Sequence, residues 1–181
     1  MIKKHYNFIK KYIEINLQTA MEYKTNFILQ SIFMILNNTL FVIFWYFLFQ
    51  NIDNINGWRL NNLMLLFGLS ALSYGFLSFF LGNWLRIHKI IYDGELDFYL
   101  SLPKNELLHL LISKSNFSGF GDILFGMIIF FITQDINFTN ILLFMLFSIT
   151  GAIIWLSLII IISSLTFFLE TQKELFICFK I

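Results

Sequence analysis

Charge is what this chain has least of. Its 12 Lys and Arg and 11 Asp and Glu make up 13% of 181 residues, about half of the roughly 25% carried by a soluble domain. With 58% hydrophobic residues, 24 Phe and a mean hydropathy of +0.75, too little polar material remains to coat a water-exposed surface. That scarcity excludes a soluble globular protein and implies an integral membrane protein. One cysteine, Cys178, excludes an internal disulfide and any cysteine-based metal site. No G-x-x-x-x-G-K-[ST] phosphate loop is present, so neither ATP hydrolysis nor a cofactor is expected on this chain. H-E-x-x-H and G-x-S-x-G are absent as well, and His5, His88 and His109 lack metal-ligand spacing. No catalytic residue and no metal ligand is expected. The first 25 residues offer no continuous apolar stretch and no small-residue cleavage site, which argues against a secretory signal.

What the chain does have is long stretches free of charge. There are 28 uncharged residues between Lys24 and Asp53, 26 between Arg59 and Arg86, and 34 between Asp135 and Glu170. Each exceeds the roughly 20 apolar residues that a helix needs to cross the bilayer core. A further run after Lys114 is interrupted only by Asp122. A membrane barrel would show alternating segments of about ten residues instead. Continuous runs therefore predict an all-α integral membrane protein, a single domain over 1–181, with spans at 27–49, 62–84, 116–133 and 141–168. Gly151 offers the long fourth run a place to bend.

Residues 3–24, within an N-terminal segment 1–25, read as an amphipathic helix. Ile9, Ile13, Leu17 and Ala20 recur at helical spacing, with Lys4, Lys11, Glu14, Gln18 and Glu22 opposite. Such a helix lies in the membrane interface or packs on a cytosolic domain. Eleven of the 12 Lys and Arg stand before the first span, between the second and third, or after the fourth. The positive-inside rule then places both termini and the 85–115 connector in the cytoplasm, with the chain multi-pass in the cytoplasmic (inner) membrane.

Two spans carry stripes of small residues: Gly68, Ala71, Gly75, Ser78 and Gly82 in the second, Ser115, Gly119, Asp122 and Gly126 in the third. Small side chains let helix backbones approach in lipid, so both stripes are expected to face other helices. Asp122 shares the second stripe, an ionisable group about two turns in from Lys114. It is either a structural polar contact or part of a transport pathway.

Polarity concentrates in the connector. Between Asp93 and Leu107 stand the only proline, Pro103, and four of the 11 acids: Asp93, Glu95, Asp97 and Glu106. Asp93-Gly94 marks a turn, and matches the start of a membrane phosphotransferase motif whose following Ala-Arg does not occur. Short helical patterns flank Pro103, which breaks them. At about thirty residues the connector is long for a link between membrane helices, and its pattern suggests a docking surface.

In this region the sequence resembles the permease subunits of type-two ABC exporters. The run I-I-Y-D-G-E-L-D-F-Y-L-S-L-P from Ile90 to Pro103 is similar to a G-x-L-D-x-x-L-x-x-P signature after the second span, matched at Gly94, Leu96, Asp97, Leu100 and Pro103. S-G-F-G-D-I-L-F-G from Ser118 to Gly126 is similar to the family's G-D-x-x-x-G start to the third span, matched at Gly121, Asp122 and Gly126. The resemblance implies a permease that pairs with a second permease copy and with a separate ABC ATPase subunit, which binds ATP and Mg. It further implies a coupling helix within 85–115 that seats on that ATPase, with Asp93, Gly94, Glu95, Leu96, Asp97, Leu100 and Pro103 at the docking site. Asp97 and Glu95 would pair with basic residues, and Leu96 and Leu100 would be the apolar anchors. Membrane lipid is the other expected partner; nucleic acid is not. The family has six spans, so four spans and the tail ELFICFKI suggest C-terminal truncation, with the last two spans missing. Alternatives are a non-transporting membrane structural or assembly protein and an inactive remnant. An intramembrane enzyme is disfavoured, because no acid, base or metal-binding pair converges in the spans.

Overall fold

A computed structural model describes the backbone of residues 2–52, 54–103 and 105–178, and the side chains of residues 7–52, 54–103 and 105–167. The side chains of Lys4 and His5, and those of the tail from Glu174 on, lie outside the described residues. Among the described residues the chain is helical, with no strand beyond one isolated bridge. Helix α1 (Ile2–Glu22) is separated from α2 (Lys24–Phe49) by Tyr23 alone. A tight turn follows, in which Ile55 and Trp58 exchange backbone hydrogen bonds across Asn56 and Gly57. Both turn residues have positive φ, the geometry that favours an Asn-Gly pair.

Helix α3 (Leu60–Phe80) is the centre of the molecule. It packs mainly on α7 (Gly119–Thr133) and then on α8 (Phe138–Cys178). Among the described residues, three helices are long and apolar enough to cross a membrane: Lys24–Phe49, Leu60–Phe80 and Phe138–Phe167. Gly119–Thr133 is a shorter apolar helix of 15 residues. Between α3 and α7 the connector folds into a 3₁₀ turn, Trp84–Arg86, and helices α4 (Ile87–Tyr92), α5 (Leu96–Leu100) and α6 (Glu106–Ile112).

The helix bounds differ from the expected spans for local reasons. Helix α3 stops at Phe80, so Gly82 falls in the turn after it rather than on the α3 face. Helix α7 begins at Gly119 rather than at 116, because Asn116 is occupied elsewhere. Its N–H donates to Ser78 O at 2.8 Å, and its side-chain oxygen accepts from Ser118. Helix α8 continues through Gly151. There the missing side chain lets α8 lie against Ser73 of α3, whose Oγ would sit 2.6 Å from an added Cβ.

Candidate functional site

The two small-residue stripes face each other. A Cβ added at Gly75 would lie 2.8 Å from the carbonyl oxygen of Gly119, and one added at Gly119 would lie 2.8 Å from that of Gly75. Backbone cannot yield as a side-chain end can, so this contact exists only for glycine. Gly68 and Gly126 meet one step further along, with Ala71, Leu72 and Ser78 buried between the helices. Gly82 serves the same closeness outside the helix, against the backbone of Lys114 to Asn116.

The register set by these pairs fixes the level of Asp122. In antiparallel helices that match Gly75 with Gly119 and Gly68 with Gly126, Asp122 stands level with Leu72. That is about 12 Å of helix rise from the end of α3 at Phe80, in keeping with its distance of about two turns along the chain from Lys114. Asp122 is 2% exposed. Asn38 of α2 donates its side-chain N–H to Asp122 Oδ1 at 2.6 Å, while Oδ2 has no hydrogen-bond partner. Asn38 lies 84 residues away, and Asn37 and Thr39 stand beside it, so nothing in the sequence singled it out as the partner.

The connector is a folded unit with its own core. Trp84, Ile87, Ile90, Ile91, Leu110 and Leu111 are buried together with Leu77 of α3 and Ala152 of α8. Buried Asn83 ties its two ends, donating to Leu110 O at 3.0 Å and to Ser113 Oγ at 2.6 Å. The turn after α4 needs a glycine: Asp93 caps the helix, and Gly94 follows at φ +73° and donates to Ile91 O. After exposed Pro103, Asn105 starts α6 by accepting from Leu108 N at 2.9 Å.

Of the expected docking residues, Asp93, Gly94, Glu95, Asp97, Leu100 and Pro103 lie on the exposed side, as does Glu106. Leu96 does not. It is half-buried and packs on the connector core together with Tyr99. A five-residue helix has too few turns for periodicity to separate its faces. The outward apolar residue missed in the sequence is Phe98, 62% exposed, beside exposed Leu100.

His109, which has no metal-ligand spacing in the sequence, is a hub between the connector and α1. It is 4% exposed, and its Nε2 lies 2.6 Å from Tyr12 Oη. The rings of Phe8, Tyr12 and Tyr99 surround it at centroid distances of 5.1, 5.3 and 5.2 Å. Asn16 adds a hydrogen bond to Ile112 O at 3.2 Å. Burial lowers the His109 pKa below its ordinary value; burial, followed by Tyr99, raises that of Tyr12. A neutral imidazole facing a neutral phenol fits this dry setting.

Two long apolar helices flank a glycine-closed pair, an amphipathic helix precedes them, and a compact polar connector joins α3 to α7. A family model described as ABC-2 family transporter protein matches residues 33–180. The chain belongs to the ABC-2 family of transporter proteins. It is therefore an ABC-2-type membrane permease, a subunit of a transport system whose ATPase is a partner. The matched region takes in all of α3 to α8 and most of α2. Searches of curated proteins and of solved structures returned no match.

Proposed function

We propose that this ABC-2 permease serves export, and that its motor seats on the connector. In this reading α2, α3, α7 and α8 all span the membrane, with both termini and residues 85–115 in the cytoplasm of a cell whose inner membrane holds the chain. The observation that carries it is the outer face of α5 and its flanks. Phe98 and Leu100 are exposed apolar side chains, ringed by exposed Asp93, Glu95, Asp97 and Glu106. An apolar centre with a charged rim is the anatomy of a protein interface. The acids call for a partner groove rimmed by Lys or Arg, and ATP and Mg belong to that partner.

The connector core gives the motor a handle. Because α4 packs on α8 and Leu77 and Trp84 bury together, a push on α5 is delivered to packed helices rather than to a loose loop. ATP-driven closure would then bias the spans between inward-open and outward-open arrangements, with a second permease copy completing the pathway. To test docking, a cysteine is placed at Phe98 in a Cys178→Ser background and cross-linking to the ATPase is scored. A cross-link at 98 and none at the inward-facing Leu96 is the expected result; the reverse pattern would overturn the seating.

A further inference from the structure

A buried carboxylate with one oxygen unpaired raises the question of what balances its charge. No Lys or Arg stands between residues 60 and 85 or between 115 and 172, and among the described residues the ion pairs found are those of Glu14 with Lys10 and Lys11. Asn38 supplies a single neutral donor to Oδ1. Leaving an ionised group at such depth without a counter-charge is costly, and such residues face a cavity or a pathway. Asp122 does border a cavity, of about 240 Å³, whose other walls include Asn38, Phe67, Tyr74 and Trp155. It opens between α2, α3, α7 and α8.

The wall chemistry narrows the occupant. A hard metal ion needs several oxygen ligands, and among the described residues no cluster of three His, Cys, Asp or Glu exists. Three aromatic side chains and one carboxylate instead match a cation with an apolar coat. Ring faces attract such a cation through their quadrupole, and shedding its weakly held water is cheap. We propose that Asp122, Asn38, Phe67, Tyr74 and Trp155 form a binding site for an organic ammonium group. As a site for transported cargo it rests on the permease reading above; as a binding site it stands apart from the ATPase.

The test is equilibrium dialysis of radiolabelled benzyltrimethylammonium against the full chain in lipid nanodiscs, with no ATPase present. The expected result is saturable binding that phenylmethanesulfonate, similar in size and opposite in charge, does not displace. Asp122→Asn preserves the hydrogen bond to Asn38 while removing the charge, and should weaken binding about tenfold or more. Asp122→Glu should restore most of it. Trp155 is half exposed, so Trp155→Leu should leave the fold intact and still cost several-fold in affinity. Absence of saturable binding by the unaltered chain would overturn the proposal and leave Asp122 a structural contact of Asn38. Unchanged affinity in a monodisperse Asp122→Asn or Trp155→Leu protein would overturn it too. Neither result bears on ATPase docking, which the cross-link at position 98 decides separately.

Discussion

Helices α2 and α3 have similar apolar composition, yet they hold opposite places. Over the window that qualifies it to span a membrane, α3 is 39% buried within the chain, whereas α2 is 6% buried and the corresponding part of α8 is 11% buried. Hydropathy does not separate them. What separates them is side-chain size: α3 carries Gly68, Ala71, Gly75 and Ser78 on the face that meets α7, while α2 presents Phe33, Leu40, Phe44 and Phe47 outward. Lipid is as apolar as leucine, so association in it rewards close approach rather than burial of oil. The inner pair is joined by a row of close backbone approaches, at Gly75 with Gly119 and Gly68 with Gly126, whereas α2 makes one such approach, Ser31 against Gly121. Helix α2 is tied to that pair by polar and close-packed points, chiefly Asn38 on Asp122 and Ser31 on Gly121.

The sharpest way to break this contrast is to add bulk to each helix. Gly75→Leu would drive side-chain atoms into backbone that lies 2.8 Å from its Cβ position. It should cost about 3 kcal/mol or more and prevent recovery of folded protein. Leu40→Phe on the outward face of α2 should change little, because that side chain is exposed. Resistance to a detergent-denaturant titration, read by circular dichroism, compares the two; equal effects would erase the distinction between inner and outer helices.

The attachment of α2 comes next. Asn38→Leu strands the Asp122 carboxylate and should cost about 1–2 kcal/mol. The double change Asn38→Leu with Asp122→Leu should recover most of that loss, because a buried polar pair can often be replaced by apolar packing. A double mutant as weak as the single one would show that the helices are joined by something other than this pair.

A smaller effect is expected at the junction of α1 and the connector. His109 has its pKa held below the ordinary value by burial, so its detached form takes up a proton more readily than its packed form. The packed arrangement keeps its full stability above the ordinary histidine pKa of about 6.5 and loses it progressively as pH falls through and below that value. Hydrogen-exchange protection of α6 should therefore fall between pH 7.5 and pH 5.5, and His109→Gln should remove the pH dependence. The smallest effect on stability is expected for Phe98→Ala: within about 0.5 kcal/mol, since the ring is exposed, while ATPase affinity drops about tenfold or more.

How much could be read from the sequence follows the same physical lines. The uncharged runs and the two small-residue stripes were legible because they depend on periodicity within one segment, and the structure sets those stripes face to face. Partners far apart in sequence were not legible. Asn38 meets Asp122 across 84 residues and Tyr12 meets His109 across 97, and a polar side chain carries no address for a partner so far along the chain. Helix ends were misplaced where side chains captured backbone, as at Asn116. In α5 the inward turn of Leu96 and the outward turn of Phe98 depend on how a five-residue helix lies on Trp84 and its neighbours. Nothing within those five residues encodes that choice.

The central claim is that a separate motor grips the outer face of α5, and one measurement reaches it most directly. The tagged chain is purified in mild detergent from its own host's membranes beside the Asp97→Lys and Phe98→Ala variants, and the retained proteins are identified by mass spectrometry. The expected result is a stoichiometric ATPase with a phosphate loop on the unaltered chain, lost from both variants while each stays folded and monodisperse. An ATPase retained equally by all three, or none retained by the unaltered chain, would contradict it.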